Sequence, residues 1–435
     1  MTNRKILSRG ATNSPSAAAS TASLTLVPPQ PAGRARGLLA VLACLTAVGP
    51  LAIDMYIPGF PAMSRTLHTS SPAIQLTLTA FLAGVVVGQI VIGPVSDSLG
   101  RRGLLIAGCA GFALVALACA FAPGIGALIA ARFILGFVGA AGMVLARAVI
   151  TDLFHGPEVP RHFALLSQIM SVAPVIAPVI GGAILSVSTW RAVFGALCLA
   201  GVLLLVAVLV KVPESLPPER RHKGGLVGTF GAMGRLTRNR PFMGCALVLG
   251  LASAALFAYI SGSSFVFERI HGASPVVYSL IFAVNAIGML LAGALFSRLS
   301  HRVSMNALLT AAVAVCLAGT LAQVLLTMTL GESFAASWIC QFVVLWGIGM
   351  LLPATMTLGQ NLGRAAPGAA SALLGGMQFL FGAVASPVVG LFGETSSLPM
   401  SLVMLVSAAL AALALIVLVR PRAVTPSGPD MVMDS

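Results

Sequence analysis

Residues 38–60 read LLAVLACLTAVGPLAIDMYIPGF, and after a short break residues 73–102 read AIQLTLTAFLAGVVVGQIVIGPVSDSLGRR. Each holds an apolar run of about 20 residues, the length a helix needs to cross a hydrocarbon core about 30 Å thick. One acid, Asp54, interrupts the first run, and a compact charged turn closes the second. An aspartate at such a depth costs about 2.5–3.5 kcal/mol on insertion scales, so it is expected to have a partner or a function. Two spanning helices with a buried acid and a basic turn point to a transporter rather than to an anchored enzyme.

Composition extends this reading to the whole chain. Of 435 residues, 58% are apolar and 8% are charged, whereas a water-facing domain carries about 25% charge. Twelve apolar runs follow one another, at 38–58, 73–95, 103–122, 125–147, 163–186, 192–210, 241–265, 275–297, 305–328, 334–358, 368–391 and 397–419. The 25 Lys and Arg residues exceed the 11 acids, but they cluster between the runs, as the positive-inside rule requires. With the amino terminus inside, only Arg65, Arg191 and Arg269 fall in external segments, and Arg132 lies within the fourth run. Basic residues interleaved with aromatics are missing, so nucleic acid is not an expected partner. The seven cysteines show neither CxxC nor Cys/His spacing, which argues against a zinc site or a disulfide scaffold.

The expected architecture is an all-α membrane protein of twelve transmembrane helices in two pseudo-symmetric six-helix bundles. Residues 1–36 are acid-free and rich in Ser, Ala, Thr and Pro, and read as a disordered cytoplasmic tail. A transit peptide also fits that composition, although the segment has no clear amphipathic pattern. Residues 37–210 form the first bundle, 211–240 a basic cytoplasmic linker, 241–419 the second bundle and 420–435 a cytoplasmic tail. A repeat supports the division: GPVSDSLGRR at 93–102 follows run two, and GALFSRLSHR at 293–302 follows run eight. Gly93 and Arg102 align with Gly293 and Arg302, while Asp97 faces Ser297. Transporters built from such halves hold cargo between them near mid-membrane.

Asp54 and Arg132 are the charged residues set well inside these runs, about 10 Å below the same surface at 1.5 Å per residue. A carboxylate whose proton affinity changes as a cavity opens and closes can couple proton and cargo movement. Asp54 is therefore the expected proton carrier, with Arg132 tuning it or touching cargo; a structural ion pair is the competing reading. Tyr56, Phe81, Gln89, Tyr259, Asn285, Gln341 and Gln378 are candidate cavity residues, although buried amides and aromatics also serve helix packing. The turn Gly93, Asp97, Gly100, Arg101, Arg102, with Arg147 and Asp152 nearby, is a candidate conformational switch. In it Asp97 is expected to meet the amino terminus of the eleventh span. Run five carries Pro174, Pro178, Gly181 and Gly182; bends and small residues on one face suit a moving contact between halves.

Several of these stretches together resemble the major facilitator superfamily, and within it the Bcr/CflA group of bacterial multidrug exporters. They are DMYIPGFPAM at 54–63, residues 75–102, RFILGFVGAAG at 132–142, RAVITDLF at 147–154, APVIAPVIGG at 173–182, WRAVF at 190–194 and PESLPPER at 213–220. The resemblance implies the major facilitator fold and an inner-membrane drug:proton antiporter alternating between inward-open and outward-open states. It assigns the superfamily's cytoplasmic turn to Gly93, Asp97, Gly100, Arg101 and Arg102, and its antiporter motif to Ala173 through Gly182. Ala173 and Ala177 stand where many exporters have glycine. Chloramphenicol-like or bicyclomycin-like amphiphiles, or several such drugs, are the implied cargo. The expected energy source is the proton gradient, with no cofactor or metal and with a monomer sufficient in the bilayer. A proton symporter importing a small metabolite and a non-transporting receptor are the alternatives; an enzyme would need a convergent nucleophile, metal or paired-acid site.

Overall fold

The computed structural model describes residues 32–154, 158–221, 231, 233–364, 366–391 and 396–419. Among them are twelve helices long and apolar enough to cross a membrane. These are α1 (Ala32–Asp54), α2 (Ser71–Leu99), α3 (Arg101–Ala120), α4 (Ile125–Leu153), α5 (Glu158–Val187) and α6 (Trp190–Lys211) in one bundle. The other bundle contains α7 (Arg240–Ser264), α8 (Pro275–Leu299), α9 (Met305–Leu330), α10 (Phe334–Leu362), α11 (Pro367–Leu391) and α12 (Leu398–Ala414). A 3-10 turn, Ile57–Gly59, and a short helix, Phe60–Thr66, prolong the first span. π-helical turns at Phe265–Ile270 and Leu415–Val419 prolong α7 and α12.

Local chemistry sets the helix limits. Ser274, Ser304 and Ser333 each accept a hydrogen bond from the backbone N–H three residues on, satisfying an orphan donor at the starts of α8, α9 and α10. Gly100, at φ 102°, separates α2 from α3 in a conformation that a side chain would disfavour. α1 ends at Asp54 because Pro58, four residues on, has no N–H to offer the Asp54 carbonyl. The helix begins at Ala32, directly after Pro31, so five residues assigned to the amino-terminal tail belong to α1. The remaining tail residues, 1–31 and 420–435, and linker residues 222–230 and 232 lie outside the described residues.

The helices pack as a duplicated set. Contacts of α1 with α4, α5 and α6, of α2 with α4, and of α3 with α4 and α6 are repeated by α7–α12 in the same order. Between bundles, α2 meets α11 and α5 meets α8, a pair related by the same exchange. Close approach of α2 and α4 depends on glycine: a Cβ on Gly84 would strike the Phe133 carbonyl, and one on Gly136 the Phe81 carbonyl. The outward faces stay apolar and exposed, as Leu199, Leu203 and Val206 of α6 and Leu402, Val406 and Leu410 of α12 illustrate. Such a girdle suits hydrocarbon rather than water. One end of the bundle carries Arg101, Arg102, Lys211, Arg240, Arg302 and Arg364, and is called here the basic end; Arg65, Arg191 and Arg269 mark the far end.

Candidate functional site

Where α1 stops, its last carbonyls lose their helical partners. Arg132 of α4 supplies one: its Nη1 donates to the Ala52 carbonyl at 2.9 Å. The guanidinium lies over the ring of Tyr56 at 4.0 Å and of Phe81 at 4.4 Å. Arg132, Tyr56 and Phe81 are all completely buried. Tyr56 is held in turn by a 3.3 Å hydrogen bond with Thr77. Asp54, 3% exposed, sits two residues beyond the clamped carbonyl. Its Oδ1 has no hydrogen-bond partner, and among the described residues it forms no ion pair with Arg132. Arg132 thus reaches the end of α1 two residues from Asp54 without pairing with it.

Around and beyond Asp54 the two bundles are sealed at the far end. Gln75 Nε2 donates to the Ser261 carbonyl at 3.1 Å, and Thr79 Oγ1 to the Ala383 carbonyl at 3.0 Å. Ser386 Oγ returns a 3.4 Å bond to the Gln75 carbonyl. The glycines of α5 lie in this seal: a Cβ on Gly181 would meet the Met55 carbonyl, and one on Gly182 the Ser279 side chain of α8. Pro174 and Pro178 stand in the preceding turns of α5. Phe60 and Phe265 close the seam with ring centroids 6.1 Å apart.

The basic end is open. A cavity of about 600 Å³ lies between the bundles, within the usual 300–1,000 Å³ range for small-molecule sites. Gln89 and Gln378 supply amides to its wall, Phe379 an aromatic face, and Met143, Met170, Met233 and Met356 a flexible apolar surface. Asp97 and Arg147 line the same space, together with Gly93 and Gly368. Of the seven expected cavity residues, Gln89 and Gln378 line this cavity. Tyr56 and Phe81 instead flank Arg132, and Gln341 is buried with both amide atoms unpartnered. Tyr259 accepts from Asn285 Nδ2 at 3.0 Å, and Asn285 Oδ1 accepts from Trp338 Nε1 at 3.2 Å. Their partners account for their burial in this conformation.

The charged turn is tied together by Arg101, which bonds Asp97 at 2.7 Å, Asp152 at 3.1 Å and the Ser96 hydroxyl. Asp97 thus pairs within its own turn while facing the open cavity near the start of α11. The linker completes the cluster. Ser215 donates to Asp152 at 2.9 Å, and the Glu214 carboxylate accepts from the backbone N–H of Arg101 at 2.9 Å and of Arg102 at 3.2 Å. Partial burial pushes the Glu214 carboxyl up, but the N–H groups of Arg101, Leu216 and Arg102 and the Arg221 guanidinium outweigh it and hold it below the usual glutamate range. An acid at the amino terminus of α3 also complements the helix dipole. Glu214 and Ser215 had no expected role; the signal was an acid beside prolines in a predominantly basic linker.

A sequence profile described as Major Facilitator Superfamily matches residues 42–387. The chain belongs to the Major Facilitator Superfamily. Among its relatives, an "uncharacterized MFS-type transporter YdgK" of Bacillus subtilis is 40% identical over 396 residues, covering 90% of this chain and 98% of the relative. A "bicyclomycin resistance protein homolog" of Haemophilus influenzae is 28% identical over 362 residues, covering 82% and 90%. A solved bacterial homolog of the human lysosomal transporter Spinster, inward-facing and unoccupied, aligns with a TM-score of 0.72 at 18% identity, over 90% of this chain and 98% of that one. At that identity the structural likeness speaks to the fold.

As a superfamily member the chain is a multi-pass membrane transporter of two pseudo-symmetric bundles. The described spans also reach charges near their ends: Asp97 lies two residues from the end of α2, and the seventh span continues through Ile270 and takes in Glu268. The hydrophobic run breaks at Glu268, whereas the helix does not: FVF at 265–267 leads directly into a π turn. The fourth helix likewise runs on to Leu153 and includes Arg147.

Proposed function

We propose that this transporter is a proton-coupled antiporter exporting amphipathic drugs of the bicyclomycin or chloramphenicol kind, in the inner membrane of a bacterium. The basic end is cytoplasmic under the positive-inside rule, so the conformation described above is open inward and closed outward. The observation that carries the reading is Asp54: a buried acid, unpaired with the Arg132 that clamps its own helix, at the junction of the two bundles. A carboxyl group placed there changes its surroundings whenever the far-end seal opens, and its protonation is thereby linked to the transport cycle. The methionine-rich wall supports cargo of varied shape, because unbranched thioether side chains repack around different ligands.

The test is cargo-induced proton release from purified protein, with chloramphenicol, florfenicol and bicyclomycin as probes. Wild type releases protons on binding at least one of them, and Asp54→Asn, still binding the drug, releases none. Undiminished release from Asp54→Asn would assign the proton to another group. Uptake rather than release of protons with imported cargo would favour symport.

A further inference from the structure

Arg147 of α4 lines the open cavity, yet it has no part in the reading above. Among the described residues it forms no ion pair, and its Nη2 donates only to the Met170 sulfur, at 3.8 Å, a weak acceptor. The acids of the adjoining turn are already engaged. Asp97 is bonded by Arg101 at 2.7 Å, Asp152 by Arg101 at 3.1 Å and by the Ser215 hydroxyl, and Glu214 by the backbone of Arg101 and Arg102. Asp97 and Arg147 are the charged groups among the described residues of the cavity wall. With Asp97 compensated by its own turn, the wall keeps one uncompensated positive charge. A guanidinium does not give up its proton, and a cleft with low-dielectric walls concentrates the field of such a charge on whatever enters.

The depth of that charge sets the shape of a ligand. Helices α2 and α4 end, and α11 begins, at the basic end. Arg147 stands six residues before Leu153, Gln89 ten before Leu99 and Gln378 eleven after Pro367. At 1.5 Å per residue their backbones lie about 9, 15 and 16 Å in from that end. The charge is thus nearest the mouth, and the amides form a deeper band. Met143, ten residues before Leu153, and Phe379 line the cavity at the depth of the amides. The opposite bundle does not balance the charge. Met356 stands 22 residues after Phe334 in α10, as Arg147 stands 22 after Ile125 in α4, and both line the cavity. One wall offers a guanidinium where the other offers a thioether.

We infer that the cavity selects amphipathic organic anions, and that Arg147 is the residue that reads their acid group. A carboxylate accepts two parallel hydrogen bonds from the guanidinium fork near the mouth. The apolar body then reaches inward to Met143, Met170 and Phe379, and the Gln89 and Gln378 amides meet its remaining polar atoms. Neutral amphiphiles fill the same space with a weaker hold, and cations are disfavoured by like charge. The inference rests on the export reading and deepens it, naming the class of cargo for that same cavity.

The experiment titrates purified full-length protein in detergent, at neutral pH, with three probes that share one apolar body: naproxen, its carboxamide and the corresponding primary amine. Wild type binds the acid more tightly than the amide by roughly tenfold, the lower end for a hydrogen bond to a charged group, and binds the amine most weakly. Arg147→Gln brings the acid-to-amide ratio close to unity. Arg147→Lys keeps the preference for the acid, and Arg147→Glu reverses it in favour of the amine; these two decide the point even where Arg147→Gln impairs folding. A guanidinium kept only as a switch partner would leave the ratio unmoved in every variant. An unmoved ratio, no preference in wild type, or failure of all three probes to bind protein that still binds chloramphenicol would each overturn the inference and leave the export reading standing. Wild type that binds neither the three probes nor chloramphenicol, florfenicol or bicyclomycin would overturn both together.

Discussion

Replacing Arg132 with methionine tests why a fully buried guanidinium is held at this position. Its closest favourable contacts are one charge-assisted hydrogen bond to the Ala52 carbonyl and two aromatic faces, with the Phe194 ring farther off at 5.9 Å. These contribute about 1.5–3 kcal/mol for the bond and about 0.5–2 kcal/mol for each ring. Against them stand Nε and Nη2, buried and without hydrogen-bond partners, at about 1–3 kcal/mol each. Both sides come to roughly 4 kcal/mol, so Arg132 adds little net stability. Methionine fills similar volume and removes the orphaned donors, but it leaves the Ala52 carbonyl unpaired at a cost of about 1–2 kcal/mol.

For a chain of this length, at about 2.1 cal/mol/K of unfolding entropy per residue, that loss lowers Tm by only about 1–2 °C. Transport, by contrast, is expected to fall below detection, because the broken end of α1 beside Asp54 is no longer held. The assays are thermal unfolding in detergent and proton-driven drug efflux from vesicles. A drop in Tm beyond about 10 °C, several times the figure just worked, would refute the balance and make Arg132 a structural keystone. Retained efflux at an unchanged Tm would refute the clamp.

Gly182→Val places a branched side chain against Ser279 and prevents the far end from closing; a Thr79→Cys reporter in the seal should then be labelled faster by an impermeant maleimide from the far side, and unchanged labelling would refute the closure described here. Glu214→Gln should lower Tm at neutral pH by loosening the linker from α3. Because the folded-state carboxyl lies below the usual range, its contribution is present above the ordinary glutamate value of about 4.3 and is lost as pH falls through the lower folded value. The Tm gap between wild type and Glu214→Gln must therefore close in acid, and a gap that persists there would assign it to something other than the charge.

Asp54 was legible because an acid in an apolar run has only a few physical explanations. The glycines of α5 were legible for a similar reason: small residues on one face predict close backbone approach, which Gly181 makes with the Met55 carbonyl, and Gly84 and Gly136 make contacts of the same kind between α2 and α4. Aromatics were not. Tyr56 and Phe81 read equally as cavity lining or core, and the choice turns on Arg132, whose neighbours lie 76 and 51 positions away in the chain. Glu214 is hidden for the same reason, since its partners, Arg101 and Arg102, are separated from it by more than a hundred residues. Glu268 was missed because hydropathy ends a span at the first charge, whereas the backbone ended it a π turn later.

The duplicated packing and the unduplicated chemistry together explain how one chain can rock and still be coupled. Arg132 stands seven residues after Ile125, the start of α4, and Gln341 seven after Phe334, the start of α10. Phe81 stands ten residues into α2, and Asn285 ten into α8. The second bundle thus has uncharged amides where the first has its guanidinium and one of its stacking rings. Equal packing on both sides keeps the two end states close in energy, because the exchanged contacts, α2 with α11 and α5 with α8, are alike in kind. Were the charges duplicated too, each bundle would carry its own buried cation, and the desolvation cost would be met twice. Placing Asp54 and Arg132 in one bundle, at its junction with the other, makes the protonation of a single carboxyl depend on the relative position of both. That dependence is what coupling requires: a proton bound at Asp54 can bias the rocking equilibrium only if the two states differ in what they place beside it.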